Sequence, residues 1–252
     1  MLKLTIITAT YNSARTLQPC MRSVLGQDYP NLEYLLVDGG SSDGTVELIQ
    51  DYADKHPCIR WASEPDRGLY DALNKGIRKA EGEVLGFVHS DDFLASPGIL
   101  SALVAALSKA QADGVYGDLQ YISAGQEERV IRRWKSRAFH ARLLQKGWMP
   151  AHPTFFLRRH VYEKHGGFDL DFRIAADYDF MLRVLKDPSL TFTYLPRVVT
   201  KMRVGGNSNG SLRNILNKSQ EDYRAMKKNG LSFPLGALLA KNLSKIPQFL
   251  PG

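Results

Sequence analysis

The chain is poor in cysteine and has no long apolar run. Only Cys20 and Cys58 occur among its 252 residues, too few for a disulfide framework or a thiolate zinc site. No stretch approaches the roughly eighteen apolar residues that indicate a membrane-spanning helix. The amino terminus becomes polar at Thr10, too soon for a signal peptide. These features predict a reducing, cytoplasmic location.

Several ligand-binding motifs are also missing from the sequence. No G-x-G-x-x-G or G-x-x-x-x-G-K-[ST] follows the first apolar run, which argues against a dinucleotide fingerprint and a P-loop. Neither H-E-x-x-H nor a paired CxxC occurs, so a catalytic zinc ion has little support. The excess of positive charge, 33 basic against 26 acidic residues, favours an anionic partner. Without a recognition motif or a basic aromatic stripe, we predict that this partner is not a nucleic acid.

Apolar strands alternate with amphipathic helices over the first hundred residues. This alternation predicts an α/β fold with a mainly parallel, Rossmann-like central sheet flanked by helices. The predicted strands of this part are 4–9, 32–37, 59–62 and 84–88, and the predicted helices are 14–25, 45–55, 69–80 and 97–114.

The second half of the chain has a more mixed pattern. It predicts a small antiparallel element with a turn at Gly125, one inner helix and several short strands. The predicted strands are 115–122, 129–134, 154–157, 190–195 and 198–204, and the helix is 177–186. We expect one domain at 1–210, with a nucleotide-binding half at about 1–112 and an acceptor half at about 113–210. A C-terminal helical extension then occupies 211–252.

That extension combines a polar helix, Leu212 to Lys228, with an amphipathic segment, Ser232 to Phe249. A basic amphipathic segment can lie on an anionic bilayer or pack on its own domain. Packing on the domain is the commoner outcome, but the sequence alone is compatible with either one.

Acidic residues follow two of the predicted parallel strands. Asp38 ends the second strand, and Asp91 and Asp92 end the strand that begins at Val84. Each of these acids alone is compatible with a turn. Because the carboxyl ends of parallel strands meet at one edge of a sheet, all three acids are predicted to share a crevice. There they could bind a base, a ribose and a metal ion on a diphosphate.

A further pair of acids, Asp177 and Asp179, opens the predicted helix 177–186. Residues two apart on a helix point about 200° apart, so the two carboxylates are expected to have different tasks. Asp179 lies four residues before Arg183, a spacing typical of a surface ion pair. Asp177 stands where a helix N-cap would be, with a general base as the functional alternative. Of the scattered histidines, His152 is a candidate contact residue, although a structural imidazole is the simpler interpretation.

The motifs together resemble the family 2 glycosyltransferases of the GT-A fold, particularly bacterial members that build surface polysaccharides. The blocks that carry the resemblance are I-I-T-A-T-Y-N-S, L-L-V-D-G-G-S-S-D-G-T, E-P-D-R-G-L-Y-D-A-L-N-K-G-I, F-V-H-S-D-D-F-L, and G-G-F-D with A-A-D-Y-D-F-M-L-R. They stand in the family's order between about residues 4 and 186.

The resemblance implies a role for each matching residue. Asp177 would be the catalytic base, Asp92 the ligand of Mg²⁺ or Mn²⁺, and Arg203 a contact to the departing diphosphate. His152, singled out above from the sequence itself, is the other candidate contact to the diphosphate or acceptor. The nucleotide site would comprise Ala9, Tyr11, Asp38, Asp66, Gly68 and Asp91. His89 and Ala176 occupy places where relatives often carry an acid.

The activity implied is that of an inverting, metal-dependent hexosyl- or N-acetylhexosaminyltransferase. The donor would be a nucleotide-sugar, typically a UDP-sugar, and the acceptor a saccharide, free or linked to polyprenyl diphosphate. The reaction would take place in the cytoplasm or at the inner face of the cell membrane, in cell-surface polysaccharide synthesis. A sugar-phosphate nucleotidyltransferase and a non-catalytic nucleotide-binding protein are the alternatives.

Overall fold

The structure is a computed structural model that describes residues 1–123, 126–204 and 212–244. Gly125, predicted to form a turn, lies outside these residues, as does the tail from residue 245 with Ile246 and Phe249.

The first half forms the predicted alternation of strands and helices. Its strands are β1 (Leu4–Thr10), β2 (Leu32–Asp38), β3 (Ile59–Ser63), β4 (Val84–Phe87) and the short β5 (Phe93–Leu94). Its helices are α1 (Ala14–Leu25), α2 (Thr45–Ala53), α3 (Leu69–Lys79) and α4 (Ile99–Lys109). Neighbours in the order β3-β2-β1-β4 are parallel. β1 and β4 are buried along their whole length, as expected for strands covered by helices on both faces.

The second half adds strands of both directions to the same sheet. Its strands are β6 (Gly114–Ser123), β7 (Gln126–Trp134), β8 (Phe156–Arg158) and β9 (Phe192–Arg203). Its helices are α5 (Arg159–His165) and α6 (Ala176–Leu185), with 3₁₀ turns at Ala141–Lys146 and His152–Thr154. β8 lies antiparallel between β4 and β6, whereas β9 is parallel to β6. The predicted antiparallel pairing of β6 with β7 is confirmed.

Three predicted boundaries were wrong. The helix expected to reach Gly114 ends at Lys109, because Gln111 adopts a positive φ of 49° that no helix continues. The strands predicted at 190–195 and 198–204 form one strand, since β6 pairs with β9 on both sides of Pro196 and absorbs the proline in a register shift. Thr154 belongs to a 3₁₀ turn rather than to β8. The short elements β5 and α5 were not predicted.

The C-terminal segment is helical and packs on the rest of the fold. Its helices are α7 (Leu212–Lys228) and α8 (Pro234–Leu243). Ala225, Met226, Leu231 and Ala237 of this segment belong to the same apolar cluster as α6 and β4. Burial of these side chains is the main force that holds the segment in place. In the described part of the chain, no helix is both long and apolar enough to cross a membrane.

Candidate active site

The loops after β1 and β2 are fastened to each other. The backbone N–H of Asn12 donates to Oγ of Ser41 at 2.8 Å, and Oδ1 of Asn12 accepts from the N–H of Ser42 at 3.0 Å. Asn12 itself has a positive φ of 47°, a conformation that asparagine tolerates better than most residues. Tyr11, on the outside of this loop, is 66% exposed, while Ala9 is buried within β1. Of these two residues predicted for the nucleotide site, Tyr11 is therefore accessible to a ligand and Ala9 is buried.

Asp38 lies completely buried at the end of β2. Oδ1 accepts from the hydroxyls of Thr10 and Ser41, at 2.9 and 2.5 Å. Oδ2 accepts from the N–H groups of Gly40 and Ser41, at 3.0 and 2.9 Å, and from the hydroxyl of Ser63 at 2.7 Å. Burial favours protonation, but these hydrogen bonds outweigh it and lower the pKa. Both oxygens of the Asp38 carboxylate accept hydrogen bonds from the protein itself. In this conformation Asp38 therefore fixes the geometry of the loop after β2.

Asp66 is placed beside this loop. A Cβ added to Gly39 would lie 2.3 Å from Oδ2 of Asp66, so only glycine permits the close approach. Oδ1 of Asp66 accepts from the N–H of Gly68 at 2.7 Å, and Gly68 has a φ of +113° that favours glycine. Three of the residues predicted for the nucleotide site, Asp38, Asp66 and Gly68, thus occupy adjoining loops.

Asp91 and Asp92 follow β4 and differ strongly in environment. Asp91 is half-buried, whereas Asp92 is completely buried. Among the described residues, Oδ2 of Asp92 has no hydrogen-bond partner, and Oδ1 accepts from the N–H of Arg203 at 3.3 Å. Burial first, and the charge of Asp91 second, raise the pKa of Asp92 well above its ordinary value. A buried, unpaired carboxylate oxygen is costly unless a proton or a cation satisfies it.

Arg203 reaches this loop from the end of β9. Its Nη1 donates to the backbone carbonyl of Asp91 at 3.0 Å, and its guanidinium lies over the Phe93 ring at 5.1 Å. The pairing of β5 with β9 positions the arginine there, since Phe93 lies opposite Lys201. The predicted contact residue is therefore adjacent to the acidic pair.

The Asp91–Asp92 pair is compatible with a divalent metal ion. Among the described residues no group of three or more His, Cys, Asp or Glu side chains is placed to hold one. Mg²⁺, however, is commonly bound by one or two carboxylates together with substrate phosphates and water. The unpartnered Oδ2 of Asp92 is a hard oxygen of the required type. The residues thus fit an ion that is completed by a bound diphosphate.

Asp177 occupies the first turn of α6 without acting as its N-cap. The cap residue is Ala175, which has no side-chain hydrogen bond to the helix, so the interpretation of Asp177 as the N-cap was wrong. Asp177 is half-buried. The Tyr70 hydroxyl lies 2.8 Å from the Ile174 carbonyl oxygen and 3.3 Å from Oδ1 of Asp177, and shares its hydrogen between these acceptors. A carboxylate at a helix N-terminus is also stabilised by the helix dipole.

Glu221 of α7 takes the place of the missing cap. Its Oε1 accepts from the N–H of Arg173 at 3.2 Å, and its Oε2 from those of Ile174 and Ala175 at 2.7 and 2.9 Å. These donors immediately precede α6, and a side chain normally satisfies such groups at a helix start. Sequence reasoning missed Glu221 because it lies in a polar helix with no motif around it.

His89 and His152 meet between the acidic pair and Asp177. Their ring centroids are 5.9 Å apart. Burial lowers the pKa of His152 to about 4, although the nearby Asp177 charge opposes this shift. Burial also lowers the pKa of His89, against the charges of Asp91 and Asp177. Both imidazoles are therefore neutral at pH 7. Sequence reasoning singled out both residues but could not predict their contact.

Asp179 lies on the other side of α6, as the helical spacing predicted. Its Oδ2 is 3.0 Å from Nε of Arg183, which confirms the predicted ion pair. The pair is not on the surface, however, because Asp179 is completely buried. Its Oδ1 also accepts from Asn229 at 2.9 Å and lies 3.3 Å from Nζ of Lys228. This network fastens α6 to α7, which explains the burial.

Comparisons with known proteins agree with this geometry. The model of the family described as glycosyl transferase family 2 matches residues 5–166. A PGL/p-HBAD biosynthesis glycosyltransferase of Mycobacterium bovis BCG is 33% identical over 207 residues, which are 81% of this chain and 78% of the relative.

Solved structures show the same fold. Residues 1–349 of Staphylococcus aureus TarS in complex with UDP-GlcNAc superpose with a TM-score of 0.73 at 18% identity, covering 98% of this chain and 73% of that chain. In another crystal structure of this TarS fragment, the matched part is 64% of that chain. A mannosyltransferase of Pyrobaculum calidifontis, in complex with GDP-Man and Mn²⁺, has a TM-score of 0.69 at 21% identity and covers 95% and 69% of the two chains.

The chain has a GT-A fold and belongs to glycosyl transferase family 2.

Proposed function

We propose that the protein is an inverting glycosyltransferase that uses a nucleotide-sugar donor and a divalent metal ion. The observation that carries the proposal is the position of Asp177. Its half-exposed carboxylate lies at the start of α6, and its charge acts on both His89 and His152. Oδ1 of Asp177 accepts from the Tyr178 N–H at 2.8 Å, and Oδ2 would take the proton of the acceptor. The charge of Asp91, in the loop after β4, acts on the same His89 imidazole.

The donor site we propose is the group of loops after β1, β2 and β4. Tyr11 would stack on the nucleotide from its exposed position, Ala9, Asp66 and Gly68 would form the wall, and Asp38 would hold that wall in shape through its buried hydrogen bonds. Asp91 would bind the ribose. The TarS and mannosyltransferase neighbours contain UDP-GlcNAc and GDP-Man, respectively. This supports a nucleotide-sugar, and we take a UDP-sugar that donates a hexosyl or N-acetylhexosaminyl group.

Asp91 and Asp92 would hold Mg²⁺ or Mn²⁺ together with the diphosphate. Bound there, the ion would neutralise the charge that develops on the departing nucleoside diphosphate. Arg203, next to both acids, would add a positive charge on the same side.

Asp177 would remove the proton from the acceptor hydroxyl. The acceptor oxygen then bonds to the anomeric carbon as the bond from that carbon to the diphosphate oxygen breaks. Attack from the face opposite the leaving group inverts the configuration. Tyr70 would orient the carboxylate through its 3.3 Å contact, and His152, with its buried and unpartnered Nε2, would donate to the donor sugar or the acceptor.

The acceptor we propose is a saccharide, free or linked to polyprenyl diphosphate, used in cell-surface polysaccharide synthesis. The relative named for PGL/p-HBAD biosynthesis supports a role in building a glycosylated product. The reaction would then take place at the inner face of the cell membrane, where lipid-linked acceptors and nucleotide-sugars can meet.

The substitution Asp177→Asn tests the catalytic assignment. It keeps the shape of the side chain but removes its ability to accept the acceptor proton. Turnover should fall by about a thousandfold or more, at the upper part of the usual range for a general base. Donor binding, followed by thermal shift with metal present, should be unchanged. A variant with full activity would contradict the assignment.

A further inference from the structure

The C-terminal helix α8 exposes a stripe of large apolar side chains. Leu235, Leu239 and Leu243 are 60, 65 and 63% exposed, and Phe233 before the helix is 69% exposed. Leucines spaced four residues apart lie along one side of a helix. Single exposed apolar residues are common on protein surfaces, but a contiguous row of them indicates a surface that binds another protein or a membrane. We call Phe233, Leu235, Leu239 and Leu243 the leucine stripe.

The opposite side of α8 is firmly attached, so the leucine stripe cannot turn inward. Ala237 is completely buried and Lys241 is nearly so. Nζ of Lys241 lies 2.8 Å from Oδ1 of Asp222 on α7 and 3.2 Å from the centre of the Tyr178 ring. Separating the buried Lys241 from Asp222 would be costly, because it would leave an unpaired buried charge. This contact therefore fixes the rotation of α8 about its axis.

The 3₁₀ turn Ala141–Lys146 packs against α8 and ends a strongly basic stretch of sequence. From Arg129 to Lys146 the sequence has seven Lys and Arg residues and no Asp or Glu. Its last part, the 3₁₀ turn Ala141–Lys146, leads into Gly147, where an added Cβ would lie 2.5 Å from the carbonyl oxygen of Ala237. Arg142 and Lys146 of this turn are exposed. In the described part of the chain, neither forms an ion pair.

We propose that the leucine stripe and the adjoining basic turn form a docking surface for an anionic lipid bilayer. The leucines and Phe233 would enter the boundary between headgroups and acyl chains, and Arg142 and Lys146 would contact lipid phosphates. A protein partner would have no need of a basic border, whereas an anionic bilayer attracts one. The proposal rests on the proposed function and deepens it by placing the lipid-linked acceptor in the same membrane.

Vesicle flotation with the full chain tests this surface without donor or acceptor, so the result is independent of catalysis. Vesicles of phosphatidylcholine with about 30% phosphatidylglycerol should bind the protein. Vesicles of phosphatidylcholine alone should bind it at least about tenfold more weakly, since each basic residue near an anionic surface strengthens binding roughly fivefold. The triple variant Leu235→Ser/Leu239→Ser/Leu243→Ser should lose binding by about a hundredfold or more, since each apolar side chain contributes about tenfold. A double variant of exposed apolar residues elsewhere, Trp61→Ser/Leu170→Ser, is the matched control.

The basic turn is tested separately with Arg142→Gln/Lys146→Gln, which should weaken binding to anionic vesicles about tenfold or more. The control Lys55→Gln/Lys109→Gln removes the same charge from the turn after α2 and from the end of α4, and it should change binding little. Equal binding to neutral and anionic vesicles, or an unaffected triple variant, would overturn the proposal. Sedimentation provides the other contrary outcome: a wild-type dimer that the triple variant converts to a monomer would assign the stripe to a second copy of the chain.

Discussion

Glu221 provides a test of how the C-terminal helices support the candidate active site. We predict that Glu221→Ala loosens the segment before α6 and displaces Asp177. The variant loses three hydrogen bonds, of 3.2, 2.7 and 2.9 Å, from backbone N–H groups to a carboxylate. Bonds to charged groups contribute about 1.5–3 kcal/mol each. Because the half-buried position lets water replace part of them, we expect a total loss of about 2–3 kcal/mol.

Two measurements separate a positioning role from simple stabilisation. Thermal unfolding should fall by about 5–10 °C, using the conversion for a chain of this size. At a temperature where the variant is fully folded, kcat should fall about tenfold, a cost of about 1.4 kcal/mol in the transition state. KM for the donor should be unchanged, because Glu221 contacts the helix of Asp177 and not the loops after β1 and β2.

Two control variants make the result interpretable. Glu221→Gln keeps an acceptor oxygen without the charge and should recover part of both kcat and stability. Gln220→Ala changes an exposed neighbour on the same helix and should alter neither. A Glu221→Ala enzyme with lowered stability but wild-type kcat would refute the positioning role, and one with wild-type stability would refute the hydrogen bonds themselves.

Three further predictions concern buried charge. Asp92→Asn should raise the melting temperature of the metal-free protein, because it removes an unpaired buried carboxylate. It should also abolish the metal-dependent stabilisation by UDP. Thermal shift with UDP, in the presence and absence of Mn²⁺, measures both effects, and the absence of either one would contradict the prediction. For His152, the pKa is depressed from 6.5 to about 4, so its contribution to stability is full above pH 6.5 and is lost as the pH falls toward 4. That contribution is about 3 kcal/mol. In His152→Phe, the denaturation midpoint should change less with pH between 6.5 and 4 than it does in the wild type. An equally steep pH dependence in both proteins would show that His152 is not responsible for it. Asp179→Ala should cost about 3 kcal/mol in urea unfolding, since it removes the buried ionic partner of Arg183, while Lys228 keeps its ion pair with Asp169. Asp51→Ala, which removes the exposed ion pair with Lys55, should cost less than about 1 kcal/mol. Similar losses for both variants would show that burial of the network is unimportant.

Much of the first half of the fold could be predicted because its strands and helices have strong, regular apolar patterns. Residues at strand ends, such as Asp38 and Asp91, could be assigned to one edge of the sheet, since parallel topology alone brings those ends together. The end of α4 could not be predicted, because a positive φ at Gln111 leaves no clear mark in the sequence. The continuity of β9 could not be predicted either, because a proline normally indicates a break in a strand. In β9, Pro196 lies where the pairing with β6 shifts register, and the strand continues past it.

Long-range contacts set the limit for the candidate site. His89 and His152 are separated by sixty-three positions and approach only because β8 inserts between β4 and β6. The Asp179–Arg183 spacing correctly predicted an ion pair but could not report its depth, which depends on α7 packing over it. Glu221 is a further example, because a polar helix gives no indication of which glutamate will reach another helix.

The neutral state of the two imidazoles has a consequence for the end of the catalytic cycle. His89 and His152 add no positive charge beside the acids Asp91 and Asp177, and a nucleoside diphosphate is itself strongly anionic. On the proposed mechanism, the spent nucleotide is retained only while its accompanying cation shields it from those carboxylates. Product inhibition by the free nucleotide should therefore be weak without metal ions and strong with them, so the metal concentration would govern how quickly the enzyme releases the spent nucleotide.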